Sequence, residues 1–308
     1  MASAAKAAKR HSASSPNPKT CASLNNLSVL IPLPIPTDEE YQIALTDLND
    51  LIKGAFQLSV WLTNLTGDTR KQIASILFAK INLCALSITK LLPPDAKSHA
   101  GKKIERERFC DVSSVASLCR NLIEASNRLY YFAVESVTEG EARMRLKIHE
   151  YHAICAHQSI MKFLGLDEER CKELNSELAE LRLELKGFAE FKKIPTHIQK
   201  RIFEGKQGEA LSQAEIAKRR GRNEGAFRED YKYLSSHIHS DAFSLLDLEM
   251  GKAGGPMTNE TRERLVAMAR ETTNYLALTL LDMNRLFPRF KMSPEGLAKA
   301  RSFVERLR

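Results

Sequence analysis

From Thr37 onward the apolar residues recur at helical spacing, and the chain reads as helix after helix. Thr37-Asp38-Glu39-Glu40 places a capping threonine three residues before a glutamate, which predicts a helix running to about Asn64. Asp68 opens the next, and Pro93-Pro94 stops it, because proline supplies no N–H and clashes with the preceding turn. Further helices are predicted near Cys110–Val137, from Glu141 to Leu164, from a cap at Asp167 to about Phe191, near Asn223–Glu249, and over Thr258–Leu286. Ser293-Pro294-Glu295 opens a last one. The expected fold is an all-α, up-and-down helical bundle of about seven long helices, with no internal repeat.

The stretches outside this pattern divide the chain. Residues 1–37 are rich in alanine, serine and lysine and then in proline, with no acidic residue, which predicts a disordered tail ending in an extended strap. The bundle is expected over residues 38–290, with a basic helical insertion at 192–222, and a C-terminal helix over 291–308. Ile73–Leu92 is twenty residues long and mostly apolar, but Lys80 and Asn82 sit at its centre. A central lysine costs roughly 2.5–3.5 kcal/mol on insertion, so a buried core helix is expected here and no membrane span.

Fourteen glycines and eleven prolines in 308 residues are too few for a turn-rich β protein. The six cysteines form no C-x-x-C pair and fall mostly within apolar helical patterns. A reducing cytosol is the expected compartment. The net charge of +8 is unevenly distributed. Residues 192–222 carry nine basic groups against three acidic, residues 97–108 five against two, and the first twenty residues four against none. A basic excess in tail and connections suits solvated loops, and equally contact with RNA or another polyanion.

One late helix carries a polar edge beside an apolar stripe. Phe227, Tyr231, Leu234, Ile238, Ala242 and Leu245 align at 100° per residue, with Arg228, Ser235 and His239 along one side. Ser235 and His239 are one turn apart and can touch. On a middle helix Arg120 and Glu124 stand one turn apart, with Asn127, Arg128 and Tyr131 following. Polar groups beside a core stripe need partners, whether from a structural network or from a ligand.

The pattern R-x-x-x-E on a middle helix, then Y-x-x-L-S-x-x-x-H on a late one, resembles an uncharacterised bacterial domain-of-unknown-function family, number 5677. The matching residues are Arg120, Glu124, Tyr231, Leu234, Ser235 and His239, within roughly residues 40–290. A looser similarity runs to the HEPN superfamily, helical bundles that often act as ribonucleases in defence systems through R-x(4–6)-H. Arg143…His149 and Arg145…His152 fit that spacing, whereas Arg228 and His239 have ten residues between them.

Three readings follow. In the first, the chain is an interaction module, and Arg120, Glu124, Ser235 and His239 form a polar lock between core helices. In the second it is a nucleic-acid-binding or HEPN-like ribonuclease: His239 is the acid/base, Arg120 the phosphate clamp and Glu124 the orienting group, with Tyr231, Ser235 and Arg228 as binding residues. In the third, residues 212–230 form a DNA-reading helix-turn-helix, with Ile216, Ala217, Gly221 and Phe227 at its usual positions but Arg220 and Asp230 departing from them. His149, His152 and His157 share a helix, yet the chain has no E-x-x-H, so neither a metal nor any other cofactor is expected. The partner is unassigned, and a homo-oligomer is compatible with the sequence.

Overall fold

The computed structural model describes residues 35–62, 68–94, 110–165, 168–239, 257–289 and 292–305, with single positions between 242 and 249. The predicted tail up to residue 34, Cys21, the basic stretch 97–108, the Asp167 cap and the loop at 251–256 lie outside the described residues. Every regular element among the described residues is helical, so the chain is all-α.

The helices are α1 (Asp38–Leu62), α2 (Thr69–Leu91), α3 (Val112–Leu129), α4 (Glu139–Phe163), α5 (Glu168–Gly187), α6 (Ala189–Lys192), α7 (Thr196–Phe203), α8 (Gln213–Arg219), α9 (Glu224–His239), α10 (Asn259–Leu286) and α11 (Pro294–Glu305). Several begin where the sequence places a cap. Thr37 Oγ1 accepts from the Glu40 amide while Glu40 returns a carboxylate to the Thr37 amide. The Asp68 carboxylate accepts from the Lys71 amide, and the Thr258 hydroxyl from that of Thr261. Each satisfies an amide that the first helical turn leaves without a partner.

Two main cores, and a small cluster of Tyr131, Phe132 and Ile216, hold these helices. The larger joins α1, α2, α3, α8, α9, α10 and α11, with Tyr41, Phe78, Ile81, Leu122, Tyr275 and Leu280 wholly buried. The Asn82 amide of α2 donates to Ala55 O and Ser59 Oγ of α1, fixing the register of that antiparallel pair. Ala300 and Phe303 of α11 are buried in this core, so the last helix belongs to the same compact unit, residues 36–308. The smaller core lies among α4, α5, α6 and α7, around Ile148, Leu185, Phe191 and Ile202.

The predicted helix near Cys110–Val137 changes character part-way. After Leu129 it continues as a π-helical turn, Tyr130–Val134, whose wider winding leaves carbonyls short of partners. Arg70 of α2 donates to Phe132 O and Ala133 O, and Arg145 of α4 to Tyr131 O. Arg145 is 1% exposed, lies 3.9 Å over the Tyr131 ring, and is paired with Glu135 and Glu141. A buried guanidinium persists only with its charge and donors matched in this way. This is the arginine of the Arg145…His152 spacing, and it ties α4 to the π-helical turn.

Candidate functional site

Arg120 and Glu124 occupy successive turns of one face of α3, and α9 packs across that face. Phe227 of α9 is buried and stacks on Tyr231 at 5.5 Å, which turns the phenol toward the pair. The Arg120 guanidinium lies 4.9 Å over the Tyr231 ring and donates to its hydroxyl at 2.9 Å. Arg120 also pairs with Glu124 at 3.0 Å, and the Tyr231 hydroxyl donates to the same Glu124 oxygen. Guanidinium, carboxylate and phenol thus close a triangle in which each bonds the other two, while the buried Arg120 Nε is left without a hydrogen-bond partner among the described residues. Burial pushes the Tyr231 phenol up to about 12, with the adjacent Glu124 carboxylate adding to the rise. The hydroxyl therefore remains a donor at neutral pH.

The other three residues of the expected constellation do not join. The Ser235 hydroxyl donates back to Tyr231 O of its own helix at 2.5 Å. Arg228 is exposed and paired with Glu224 one turn away at 2.7 Å. His239 is the exposed last residue of α9, eight residues beyond Tyr231, or about 12 Å along the axis. The expected stripe also slips in phase. Ile238 and Leu245 are exposed, whereas Ser236 and His237 are buried. His237 sets Nδ1 3.2 Å from Ser113 Oγ of α3 and packs edge-on to Tyr233. A polar group at the first turn of α3 thus selects an imidazole where the periodicity placed isoleucine.

Beside the triangle runs a groove of about 730 Å³. Arg120, Glu124, Arg128 and Tyr231 line one side; His152 of α4, His197, Ile198 and Arg201 of α7, and the segment Lys206–Ser212 line the rest. Its walls are strapped together. Arg128 pairs with Glu209 at 2.5 Å, Asn127 donates to Gln213 at 3.2 Å, and the Ala210 amide donates to Tyr131 at 3.3 Å. Gly208 passes so close to His152 that a Cβ there would meet the ring at 3.1 Å. Arg201 is exposed and its Nε is bonded to a neutral amide, Gln207.

The three arginines at the end of the basic insertion are neutralised by the bundle. Arg219 reaches Glu135 at 3.1 Å, Arg220 reaches Asp282 at 2.7 Å, and Arg222 reaches Glu271 at 2.7 Å. The Arg220 side chain is 3% exposed and also donates to Ser126 of α3. Here lies the reason for an arginine where a helix-turn-helix carries an apolar residue: it enters the interior beside a buried aspartate. Gly221 makes the turn between α8 and α9 at φ +92°, a conformation that glycine adopts without strain.

Elsewhere, His149 packs against Phe132, and burial holds its imidazole below the usual range. Burial raises the thiols of Cys110 and Cys119 to about 11 and about 12, far from nucleophilic at neutral pH. Among the described residues, no group of three or more His, Cys, Asp or Glu side chains is placed to hold a metal ion. No family model, no curated protein and no solved structure matches this chain.

Proposed function

We propose that this chain is a non-enzymatic interaction module. In it the Arg120–Glu124–Tyr231 triangle locks α9 to α3 and shapes one wall of a groove that receives an anionic group of a partner. The observation that carries this reading is the closure of the triangle: the three groups bond one another, and the imidazole expected to serve as acid/base lies exposed about two turns away. Acid/base chemistry needs a titrating group within hydrogen-bond reach of the proton it moves, and Tyr231, held as a donor, is no general base at neutral pH. Arg201, His197 and His152 supply the groove with cationic or ionisable groups, while Arg120 and Arg128 already hold carboxylates.

The nucleic-acid reading rests on the basic insertion and on the family resemblance. Against it, Arg219, Arg220 and Arg222 are engaged by carboxylates of the bundle itself. The duplex-reading alternative loses the same side chains.

The two readings separate in one experiment. Titrate labelled single-stranded RNA and an acidic peptide of matched charge against the protein, with Arg201→Glu as the control. The interaction reading expects no cleavage, and peptide binding that Arg201→Glu weakens about tenfold. RNA cleavage abolished by His239→Ala would overturn it.

A further inference from the structure

The helix that should be a buried core element is only partly one. In the most apolar eighteen residues of α2, a third of the positions are buried. Phe78, Ile81 and Ile88 are fully buried on one side, whereas Ile76 is 70% exposed and Leu83 60% on the other. At 100° per residue, Ile76, Ala79 and Leu83 fall within about 60° of one another and form a single outward strip. The Asn82 bonds to Ala55 and Ser59 hold the last turns of α1 beside α2. Those turns carry a further exposed apolar residue, Val60, 72% exposed.

Lys80 and Lys90 flank the strip within about 40° of Ile76, both exposed, and neither is ion-paired among the described residues. The helix contains no aspartate or glutamate. The outward positions of α1 from Thr46 to Val60 are Thr46, Asn49, Lys53, Gln57 and Val60; the carboxylate at their edge, Asp50, is already taken by Lys53 and Lys299. A second copy seated here would set Lys80 and Lys90 against their like with no free carboxylate to neutralise them, and like charges brought together oppose association. The complementary surface is flat, anionic and apolar beneath.

We propose that the outward face of α1 and α2 is a peripheral docking surface for an anionic lipid bilayer. Val60, Ile76 and Leu83 enter the boundary between headgroups and acyl chains, while Lys80 and Lys90 reach lipid phosphates or carboxylates. The helix lies in the plane of the surface and does not cross it, because its other side is fixed in the core and Asn82 is pinned to α1. This surface is independent of the groove.

The test is sedimentation of the full chain with sucrose-loaded vesicles of phosphatidylcholine alone and of phosphatidylcholine with a quarter phosphatidylserine, at low and high salt. The expected result is partition onto the anionic vesicles alone, weakened by salt. Each lysine near an anionic surface contributes about fivefold to partition, so Lys80→Glu with Lys90→Glu should weaken it by about twenty-five-fold or more. Ile76→Ser with Leu83→Ser should abolish it while leaving the circular dichroism spectrum and melting temperature of the free protein unchanged. Equal partition onto both vesicle types, no partition onto either, or variants that partition as the parent does would each overturn the proposal. So would a concentration-dependent dimer dissociated by Ile76→Ser, which would assign the strip to a second copy.

Discussion

The arginines around the α8–α9 turn and the lysines of α2 carry the same charge and meet opposite fates. Arg220 and Arg222 turn inward to Asp282 and Glu271, carboxylates that lie some sixty and forty-nine residues away in sequence. Lys80 and Lys90 remain in solvent on a helix without acid. The segment with the larger formal excess therefore offers a partner less charge than it carries, chiefly at the exposed Lys192, Lys193 and Arg201, and the helix with the smaller one offers what it has. Net charge along a sequence counts cations; only the fold decides which are already neutralised. Guanidinium suits the interior role, being planar, always charged and able to bond several acceptors at once, whereas a lysine ammonium is strongly hydrated and stays at the surface.

The sharpest way to break this comparison is Arg220→Met. It strands Asp282 in the interior, and removing one partner of a buried pair costs about 3–5 kcal/mol, measured by urea unfolding. Adding Asp282→Leu should recover most of that loss; failure to recover it would mean that Arg220 acts through Ser126 or its packing and not through the pair. Next in size is Tyr231→Phe, which deletes the hydroxyl shared by Arg120 and Glu124. The cost should be about 1–2 kcal/mol, since Glu124 loses a donor in a half-buried site.

The same tyrosine gives a pH signature. The folded-state pKa of Tyr231 is raised to about 12, above the ordinary value near 10. The unfolded chain therefore releases that proton first, and the folded state binds more protons between those values. The contribution of Tyr231 is fully present below about pH 10 and is lost as pH rises toward about 12. Tyr131, also raised to about 12, acts in the same direction. Stability should fall across this window, and less steeply in Tyr231→Phe.

The smallest effects belong to the exposed residues. His239→Ala and Lys80→Glu should each change stability by less than about 0.5 kcal/mol. A marked drop for His239→Ala would return the imidazole to the lock from which its position removes it.

Much of the scaffold was legible in the sequence, because it is written in local chemistry. The reciprocal cap of Thr37 and Glu40, the Asp68 cap, the Pro93-Pro94 stop and the Thr258 cap each act over three or four residues. The candidate site was legible in half. Arg120 and Glu124 can be read as neighbours on one helix, and Tyr231 as part of an apolar stripe, but their meeting depends on how α9 crosses α3. The periodicity of α9 treated its stripe as facing one uniform core. It therefore chose Ile238 and passed over His237, whose partner Ser113 is 124 residues distant.

The all-α class and the capped helix starts follow from the order of residues alone, since hydrogen bonding within a helix never looks beyond the next turn; the π-helical turn at Tyr130–Val134 and the break between α5 and α6 do not. Which arginines are silenced, which histidine is buried and which face of α2 is left to solvent were decided by packing. Those outcomes depend on pairs separated by tens to hundreds of residues, and burial, which makes an ion pair necessary and a phenol reluctant to ionise, does not exist until the chain has closed on itself.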